Sequence, residues 1–443
     1  MRRVVLVAGL AAVLGLGALV ATLSSAGHGL DLARASAAPG AGVTGAPTGS
    51  EAAPSPGGSA NGARPPTSLV RTTVPALLDR PGIREQLQAV LEAGCLELAA
   101  PGAAASILLP DGRQWIGTAG VADLASGRPL TPSTPFAVAS ISKTFLAAEI
   151  LALVEEGRVT LDAAVAPSLP GVLVGGKPID PRITVQQLLD HTSGLRDYLV
   201  DPRLDRAVRA DPTRRWTVVK ALAYAGRPVA APGVRYFYSN TNYALLGLLA
   251  ERITGRTLAA EYRARFFGPL GLHSAFYQGV EAPVSELPTA YRYTSTALGA
   301  TPIDTTDGTG IRPFTAITTA AGPAGSVAAS PADLVRWVEA LYTGGVLDPV
   351  TVAAMVGDAR TVAALKLGSS YGLGVQVLTI DGRVSYGHTG RLVGMRSVVR
   401  WFPDAGIAIA VTTNESRFDP TVILTGLLAV ILPQTGRAHV GGV

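Results

Sequence analysis

A serine and a lysine three residues apart, Ser140 and Lys143, are the first chemical signal in the sequence. They open a predicted helix after the apolar stretch 136–139, and residues three apart share one face of a helix. The hydroxyl and the amine are therefore expected to meet. A serine is a poor nucleophile until a base takes its proton, and a lysine can be that base only if burial or nearby positive charge keeps it neutral. Alone, the pair also fits a helix-capping serine followed by a surface lysine.

Tyr238 and Asn240 are the second signal, between a Pro-Gly turn at 232–233 and a helix predicted from residue 243. A tyrosine close to a lysine can relay a proton to a leaving group. An asparagine offers a donor and an acceptor to the amide of a substrate. Both residues are therefore candidates for the same site as the serine and the lysine, although the tyrosine alone also fits an aromatic anchor in a loop.

His388, Thr389 and Gly390 are the third signal, on a predicted strand. A cation or a hydroxyl there would bind an anionic group of a substrate, and Gly390 would let a ligand approach the backbone. A histidine on an edge strand is the structural alternative for this triplet alone. Three signals in this order, each on a suitable element, point to one active site more strongly than any of them does separately.

The elements that must position these residues are strands at both ends of the chain and helices between them. Near the N-terminal side, the pattern predicts a helix over 77–98 and a hairpin of strands 103–109 and 115–121. Helical signals dominate residues 140–345. Beyond them, the predicted elements are strands 372–380, 383–387, 393–401 and 407–413 and a helix over 420–432. This order predicts an α+β fold of two lobes, an antiparallel sheet assembled from both termini and a mostly helical inserted lobe.

The N-terminal segment has the composition of an export signal. Two arginines precede an uncharged apolar run over 4–23, so residues 1–35 are interpreted as a signal peptide or a signal anchor, with both fates open. Residues 36–74 are rich in Ala, Gly, Pro and Ser and are predicted to form a disordered linker. The folded domain is expected over 75–433, followed by a polar tail at 434–443. We therefore expect an extracytoplasmic protein that is secreted or anchored to the membrane.

The composition excludes several other classes of protein. Of 443 residues, 48% are hydrophobic and 16% charged, which excludes a disordered chain or a coiled coil. The 37 basic residues are 33 arginines and four lysines without a basic run, so no nucleic-acid partner is expected despite the net charge of +5. The single cysteine, Cys95, excludes an internal disulfide and a Cys-based zinc site and is expected to be buried. The five histidines are dispersed, so neither a metal nor another cofactor is predicted.

With these motifs the chain resembles the serine β-lactamase and D-Ala-D-Ala carboxypeptidase superfamily, specifically its class C-like branch. The resemblance covers about residues 80–432 and includes the runs at 188–195, 232–247, 269–272, 324–334 and 387–390. It implies a two-lobed fold with the active site in the cleft between the sheet and the helical lobe. The substrate would be a small molecule or a peptide of peptidoglycan.

The resemblance also implies a role for each motif residue. Ser140 resembles the acylated nucleophile, Lys143 its proton acceptor and Tyr238 the acid/base that works with the lysine. Asn240 resembles the ligand of the acyl amide. On the third motif, the implied substrate-binding residues are His388, where many relatives have lysine, together with Thr389, Gly390 and Arg391. The family's oxyanion hole maps to the backbone N–H groups of Ser140 and Arg391.

Arg391 is the main departure from the family pattern, because many relatives have serine or threonine there. A long and permanently charged side chain could bind a carboxylate or partly fill the cleft, so we expect Arg391 to select an anionic acyl or leaving group. The predicted function is an exported serine hydrolase that forms an acyl-enzyme on Ser140, like a D-alanyl-D-alanine carboxypeptidase or an esterase. The alternatives are a β-lactamase and a non-hydrolytic penicillin-binding or sensor protein of the same fold.

Overall fold

The computed structural model describes residues 77–295, 297, 300–357, 360–361 and 369–432, and for 360–361 the backbone alone. The predicted signal segment, the linker and the polar tail lie outside the described residues. Within the described ranges, no helix is both long and apolar enough to cross a membrane.

The helices of the described chain confirm the predicted pattern of a helical middle flanked by terminal helices. In chain order they are α1 (Ile83–Glu97), α2 (Ser142–Glu155), α3 (Val185–Leu189), α4 (Pro202–Ala210), α5 (Val218–Leu222), α6 (Asn240–Thr254), α7 (Leu258–Tyr262), α8 (Thr315–Ala321), α9 (Pro331–Tyr342), α10 (Pro349–Gly357) and α11 (Thr421–Ile431). Short 3₁₀ turns lie at Leu77–Asp79, Ala139–Ile141, Ala166–Ser168 and Gly322–Ala324, and a π-helical turn at Arg263–Phe267.

The strands divide into one large sheet and three small ones. In chain order they are β1 (Gly102–Leu108), β2 (Gln114–Gly120), β3 (Phe136–Ala137), β4 (Leu173–Val174), β5 (Lys177–Pro178), β6 (Phe276–Tyr277), β7 (Tyr291–Tyr293), β8 (Pro302–Asp304), β9 (Val327–Ala329), β10 (Arg360–Thr361), β11 (Ser369–Tyr371), β12 (Gln376–Ile380), β13 (Arg383–Leu392), β14 (Met395–Phe402) and β15 (Ile407–Thr413). The large sheet is antiparallel and has the order β10-β11-β12-β13-β14-β15-β1-β2.

The N-terminal and C-terminal strands pair with each other within this sheet, as predicted. β1 pairs with β15 over six residues, from Ala103 opposite Thr413 to Leu108 opposite Ala408. Every residue of both strands is buried, because the sheet is covered on both faces. Leu87 of α1 and Leu427 of α11 pack with Ile409 on one face. α9 covers the other face.

The nucleophile helix α2 forms the centre of the helical lobe. All its residues from 142 to 153 are buried, the polar Lys143 and Glu149 among them, so the helix has no solvent-facing side over this stretch and carries no amphipathic stripe. Phe145 stacks on Trp337 of α9, with ring centroids 4.0 Å apart. Because α9 also covers the large sheet, this contact connects α2 to the sheet and holds the two elements at a fixed separation.

One predicted strand is interrupted. Residues 372–375 were expected to continue a strand to residue 380, but they form the turn that joins β11 to β12. Gly374 has φ of +80°, and a Cβ atom there would lie 2.3 Å from the Cβ of Ala147 in α2. The turn therefore packs directly on the nucleophile helix, which a continuous strand would not allow. Cys95 is buried and unpaired, as predicted.

Candidate active site

Ser140 lies at a sharp junction between strand β3 and helix α2. The preceding residue, Ala139, has φ of +50°, a left-handed conformation that costs a non-glycine residue about 1 kcal/mol. Val138 holds this junction from two sides. Its N–H donates to Val327 O of β9 (3.0 Å), and its carbonyl accepts from the Ser397 hydroxyl of β14 (2.8 Å). The backbone before the serine is thus fixed to both lobes.

Lys143 reaches the serine, as the spacing predicts. Its Nζ lies 3.0 Å from Ser140 Oγ, 2.7 Å from Asn240 Oδ1 and 2.9 Å from the carbonyl oxygen of Ala324. A neutral amine has two N–H donors and one lone pair. With the donors directed to the amide and the carbonyl oxygen, the lone pair faces the serine hydroxyl. The geometry therefore suits an amine that takes the proton from Ser140.

The surroundings of Lys143 favour this neutral form. The side chain is fully buried, and desolvation lowers the pKa of the amine far below that of an exposed lysine, while the charge of Asp197 partly opposes the shift. The alternative of a surface lysine is therefore wrong. Nζ also lies 5.1 Å from the ring centroid of Tyr238 and 5.3 Å from that of Tyr243.

Tyr238 lies beside the serine and the lysine. Burial raises the pKa of its hydroxyl well above the usual value, and a hydrogen bond with Ser140 opposes this rise. The phenol is therefore protonated at neutral pH and contacts the nucleophile directly. His191 packs on Tyr238 with ring centroids 4.3 Å apart, and its Nδ1 accepts from the N–H of Ser239 (3.2 Å). The histidine thus packs against the loop that carries the tyrosine and holds its backbone.

Asn240 uses both ends of its amide. Oδ1 accepts from Lys143, and Nδ2 donates to Oδ2 of the buried Asp197 (2.8 Å). The second hydrogen of the amide nitrogen is the one that could reach an acyl amide of a substrate. Sequence reasoning missed Asp197, although it follows the motif-like run 188–195 by only two residues.

The third motif lies on the part of β13 that pairs with β14 but no longer with β12. β12 pairs with β13 only as far as Gly387, whereas β14 pairs with it up to Leu392. The N–H of Thr389 points away from β14 and donates to Gln376 Oε1 (3.1 Å). Backbone groups two residues apart point the same way in a strand, so the N–H of Arg391 also points away from β14. Its direction is that required of an oxyanion donor.

Gly390 brings this strand against the nucleophile turn. A Cβ atom at Gly390 would lie 2.1 Å from the carbonyl oxygen of Val138, two residues before Ser140. Any side chain would push the strand away from the turn. The glycine therefore sets the distance between the nucleophile and the backbone of Arg391.

His388 is buried and uncharged at neutral pH. Burial, and to a smaller extent the charge of Lys143, lower the pKa of the imidazole to about 3. Its Nδ1 donates to the carbonyl oxygen of Thr389, so the neutral ring accepts at Nε2 from the hydroxyl of Tyr371 (3.1 Å). The sequence offered either a cation or a hydroxyl in this triplet as the group that binds an anionic part of the substrate. Because His388 is neutral, the hydroxyl of Thr389 is the group that remains.

A buried arginine supports that hydroxyl from beneath. Arg400 of β14 is fully buried, and its two terminal nitrogens donate to Gln376 O (3.0 Å) and Gln376 Oε1 (2.7 Å). The side chain of Gln376 in turn holds the N–H and the hydroxyl of Thr389. Neither Arg400 nor Gln376 belongs to a motif, and no sequence signal distinguished them. Within the described ranges, no group of three or more His, Cys, Asp or Glu side chains is arranged to hold a metal ion.

The chain is similar in sequence and in fold to several known proteins. The Beta-lactamase family model matches residues 83–429. Penicillin-binding protein 4 of Amycolatopsis lactamdurans is 30% identical over 326 residues, covering 71% of this chain and 81% of the relative. Esterase EstB of Burkholderia gladioli is 32% identical over 214 residues, covering 46% of this chain and 54% of the esterase. The crystal structure of a D-stereospecific amidohydrolase from a Streptomyces species superposes with a TM-score of 0.67 at 28% identity, covering 80% of this chain and 99% of that one.

The fold and the site together define a serine hydrolase with the β-lactamase and transpeptidase architecture. The chain belongs to the Beta-lactamase family, as the resemblance of its motifs predicted.

Proposed function

We propose that the protein is a carboxypeptidase-like hydrolase that releases a C-terminal D-amino acid from a small peptide through an acyl-enzyme on Ser140. The observation that carries this proposal is a pair of arginines beyond the third motif. Arg391 and Arg396 stand opposite each other on β13 and β14, on the same side of the sheet as Thr389. Among the described residues, the ion pair of Arg396 is a long one, 3.9 Å from Nη1 to Asp419 Oδ2. Positive charge beside the Thr389 hydroxyl favours a leaving group with a free carboxylate.

The reaction follows from the positions of the side chains. Ser140 Oγ attacks the scissile carbonyl carbon while its proton passes to Lys143 Nζ. The carbonyl oxygen becomes an oxyanion that the N–H groups of Ser140 and Arg391 stabilise. Lys143 and Tyr238 then deliver the proton to the departing amine nitrogen. A water molecule attacks the ester carbon by the same route and frees Ser140.

Replacement of Arg391 by serine tests the substrate preference. We expect wild type to cleave an acyl-D-Ala-D-Ala peptide faster than the same peptide with a C-terminal amide. Because hydrogen bonds to charged groups are worth about 1.5–3 kcal/mol, Arg391→Ser should reduce the ratio of the two kcat/KM values about tenfold or more. The reduction should shrink at high salt, since Arg391 is exposed.

Arg336 provides the matched control for this substitution. It is an exposed arginine on α9, outside the site. Arg336→Ser should leave the ratio unchanged. If Arg391→Ser also left it unchanged, the assignment of a carboxylate-bearing leaving group would be wrong.

Esterase-like or amidase-like activity on uncharged substrates is the second candidate. The neutral ring of His388 favours it, because the place that many relatives give to a lysine carries no charge here. The similarity to esterase EstB and to the D-stereospecific amidohydrolase supports the same direction. In the comparison above, faster cleavage of the amide peptide by wild type would select this candidate.

We also propose that the protein acts outside the cytoplasm. The support is the pair of arginines at positions 2 and 3 followed by the uncharged apolar run 4–23. N-terminal sequencing of protein recovered from the culture medium and from the membrane fraction tests this. A chain found only in the cytoplasm with residues 1–35 intact would contradict it.

A further inference from the structure

A buried carboxylate is connected to the catalytic lysine through a single amide. Asp197 lies in the loop after α3 and is 5% exposed. Its Oδ1 accepts from the N–H of Leu199 (2.8 Å), and its Oδ2 accepts from Asn240 Nδ2 (2.8 Å). Asn240 Oδ1 accepts from Lys143 Nζ (2.7 Å). The carboxylate therefore dictates which end of the amide faces the lysine, because only the NH₂ end can donate to Asp197.

The other titratable groups around Lys143 contribute no negative charge. On the tyrosine loop and α6, burial raises the pKa of Tyr238 and Tyr243, so both phenols stay neutral. On the turn after α3 and on β13, burial lowers the pKa of His191 and His388, so both rings stay neutral as well. Among the described residues that act on the lysine, Asp197 alone is a carboxylate. Burial raises the pKa of this carboxyl group, and the N–H of Leu199, the charge of Lys143 and the Asn240 amide oppose the rise, so its negative charge is favoured most when the lysine is an ammonium ion.

The charge of Lys143 changes during acyl transfer, which gives this carboxylate a role. As Ser140 Oγ bonds to the substrate carbon, its proton moves to the lone pair of Nζ and the amine becomes an ammonium ion. Burial in the lobe disfavours that cation. Asn240 Oδ1, the carbonyl oxygen of Ala324 and the negative charge of Asp197 all favour it.

We propose that Asp197 is a positioning residue for acyl transfer: it orients the Asn240 amide toward Lys143 and stabilises the lysine when it holds the serine's proton. This inference rests on the proposed role of Lys143 as proton acceptor. The side chain of Asp197 does not touch the serine, so its influence passes through Asn240 and through space. Asp197 thereby influences the pKa of Lys143. The amine must be neutral in order to accept a proton, and it must also be basic enough to take that proton from the serine.

Two features of the pH profile of kcat/KM test the proposal in the full-length protein. The substrate is a chromogenic acyl ester, which reports acyl transfer without requiring the arginine pair. Removing the charge in Asp197→Asn should lower the lysine's proton affinity. The acidic limb should then move to lower pH by about one unit, because a nearby opposite charge shifts a pKa by this order. The plateau at higher pH should fall about tenfold, since a weaker base accepts the proton less readily.

If Asp197 served folding alone, its replacement would not move the acidic limb of the pH profile. Asp333 is the control for a buried aspartate with a purely structural role. Asp333 is also a buried aspartate, but it accepts from the N–H and the hydroxyl of Ser274, away from the nucleophile. Asp333→Asn should lower the melting temperature and leave the limb in place. Asp197→Glu keeps the charge but displaces it, so its limb should stay near that of wild type while the plateau falls.

Three results would contradict either the role of Asp197 or the proposed function, and each result identifies which of the two is wrong. An unmoved limb in a folded, active Asp197→Asn variant would overturn the role of Asp197. A limb that moves to lower pH by about one unit in Asp197→Glu, which keeps the charge, would also overturn it, and this measurement against wild type remains available if the asparagine variant fails to fold. A folded wild-type protein that neither cleaves the ester nor forms an acyl adduct would instead overturn the proposed function.

Discussion

Replacing Ser140 with alanine is expected to lower kcat/KM by about 10⁴-fold or more, because no other group in the site can form the acyl-enzyme. The serine is fixed by the strained turn at Ala139 and faces the amine of Lys143 at 3.0 Å. Intact mass spectrometry after incubation with a penicillin measures the same step directly. Wild type should gain the mass of one acyl group, and Ser140→Ala should gain none.

Ser142 supplies a matched control two residues away. Its hydroxyl is buried and accepts from the N–H of Val327 (3.0 Å), so it holds β9 and has no contact with the reaction. Ser142→Ala should lose about 1 kcal/mol of stability and keep the acyl adduct. A Ser140→Ala protein that still turned over substrate, or still gained the acyl mass, would eliminate the mechanism.

Lys143→Met is expected to have the second-largest effect, a loss of about 10²- to 10⁴-fold in kcat/KM, the usual range for a general base. Methionine keeps much of the length and apolar bulk of the side chain but cannot accept a proton. Burial depresses the pKa of the lysine, so wild-type activity should rise with pH in a range where an exposed lysine is fully charged. The variant should lack this rise.

Lys220 is the control for Lys143, since it lies exposed on α5. Lys220→Met should keep both the rate and the pH dependence of wild type. If Lys143→Met retained the wild-type acidic limb, another group would be the proton acceptor, and the hydrogen bond between Tyr238 and Ser140 would make the tyrosine the first to test.

The sequence was most informative where local spacing alone brings groups together. Ser140 and Lys143 are one helical turn apart, so their contact needs only the helix. The strands at both ends of the chain carry period-two patterns and clear turns, and the antiparallel sheet that joins the termini followed from them. The local sequence pattern could not predict the turn at residues 372–375. That turn depends on close packing against α2, which is distant in the sequence.

The residues that support the site could not be predicted from the sequence for a related reason. Asp197 acts through Asn240, and Arg400 through Gln376, so each matters only because a distant segment is packed against it. The charge of His388 was equally hidden. Its residue type permits a cation, and only complete burial in the folded protein excludes one.

The pairing of β1 with β15 makes activity a property of the finished chain. Ala103 lies opposite Thr413 in this pairing, so a loop that contains most of the chain must close before β1 joins the sheet. Until then β14 cannot hold Val138 through Ser397, and the backbone of Arg391 has no fixed distance from Ser140. A chain growing from its N-terminus thus carries its serine and lysine for most of its synthesis as unreactive side chains. We therefore expect acyl transfer only after β15 has joined the sheet.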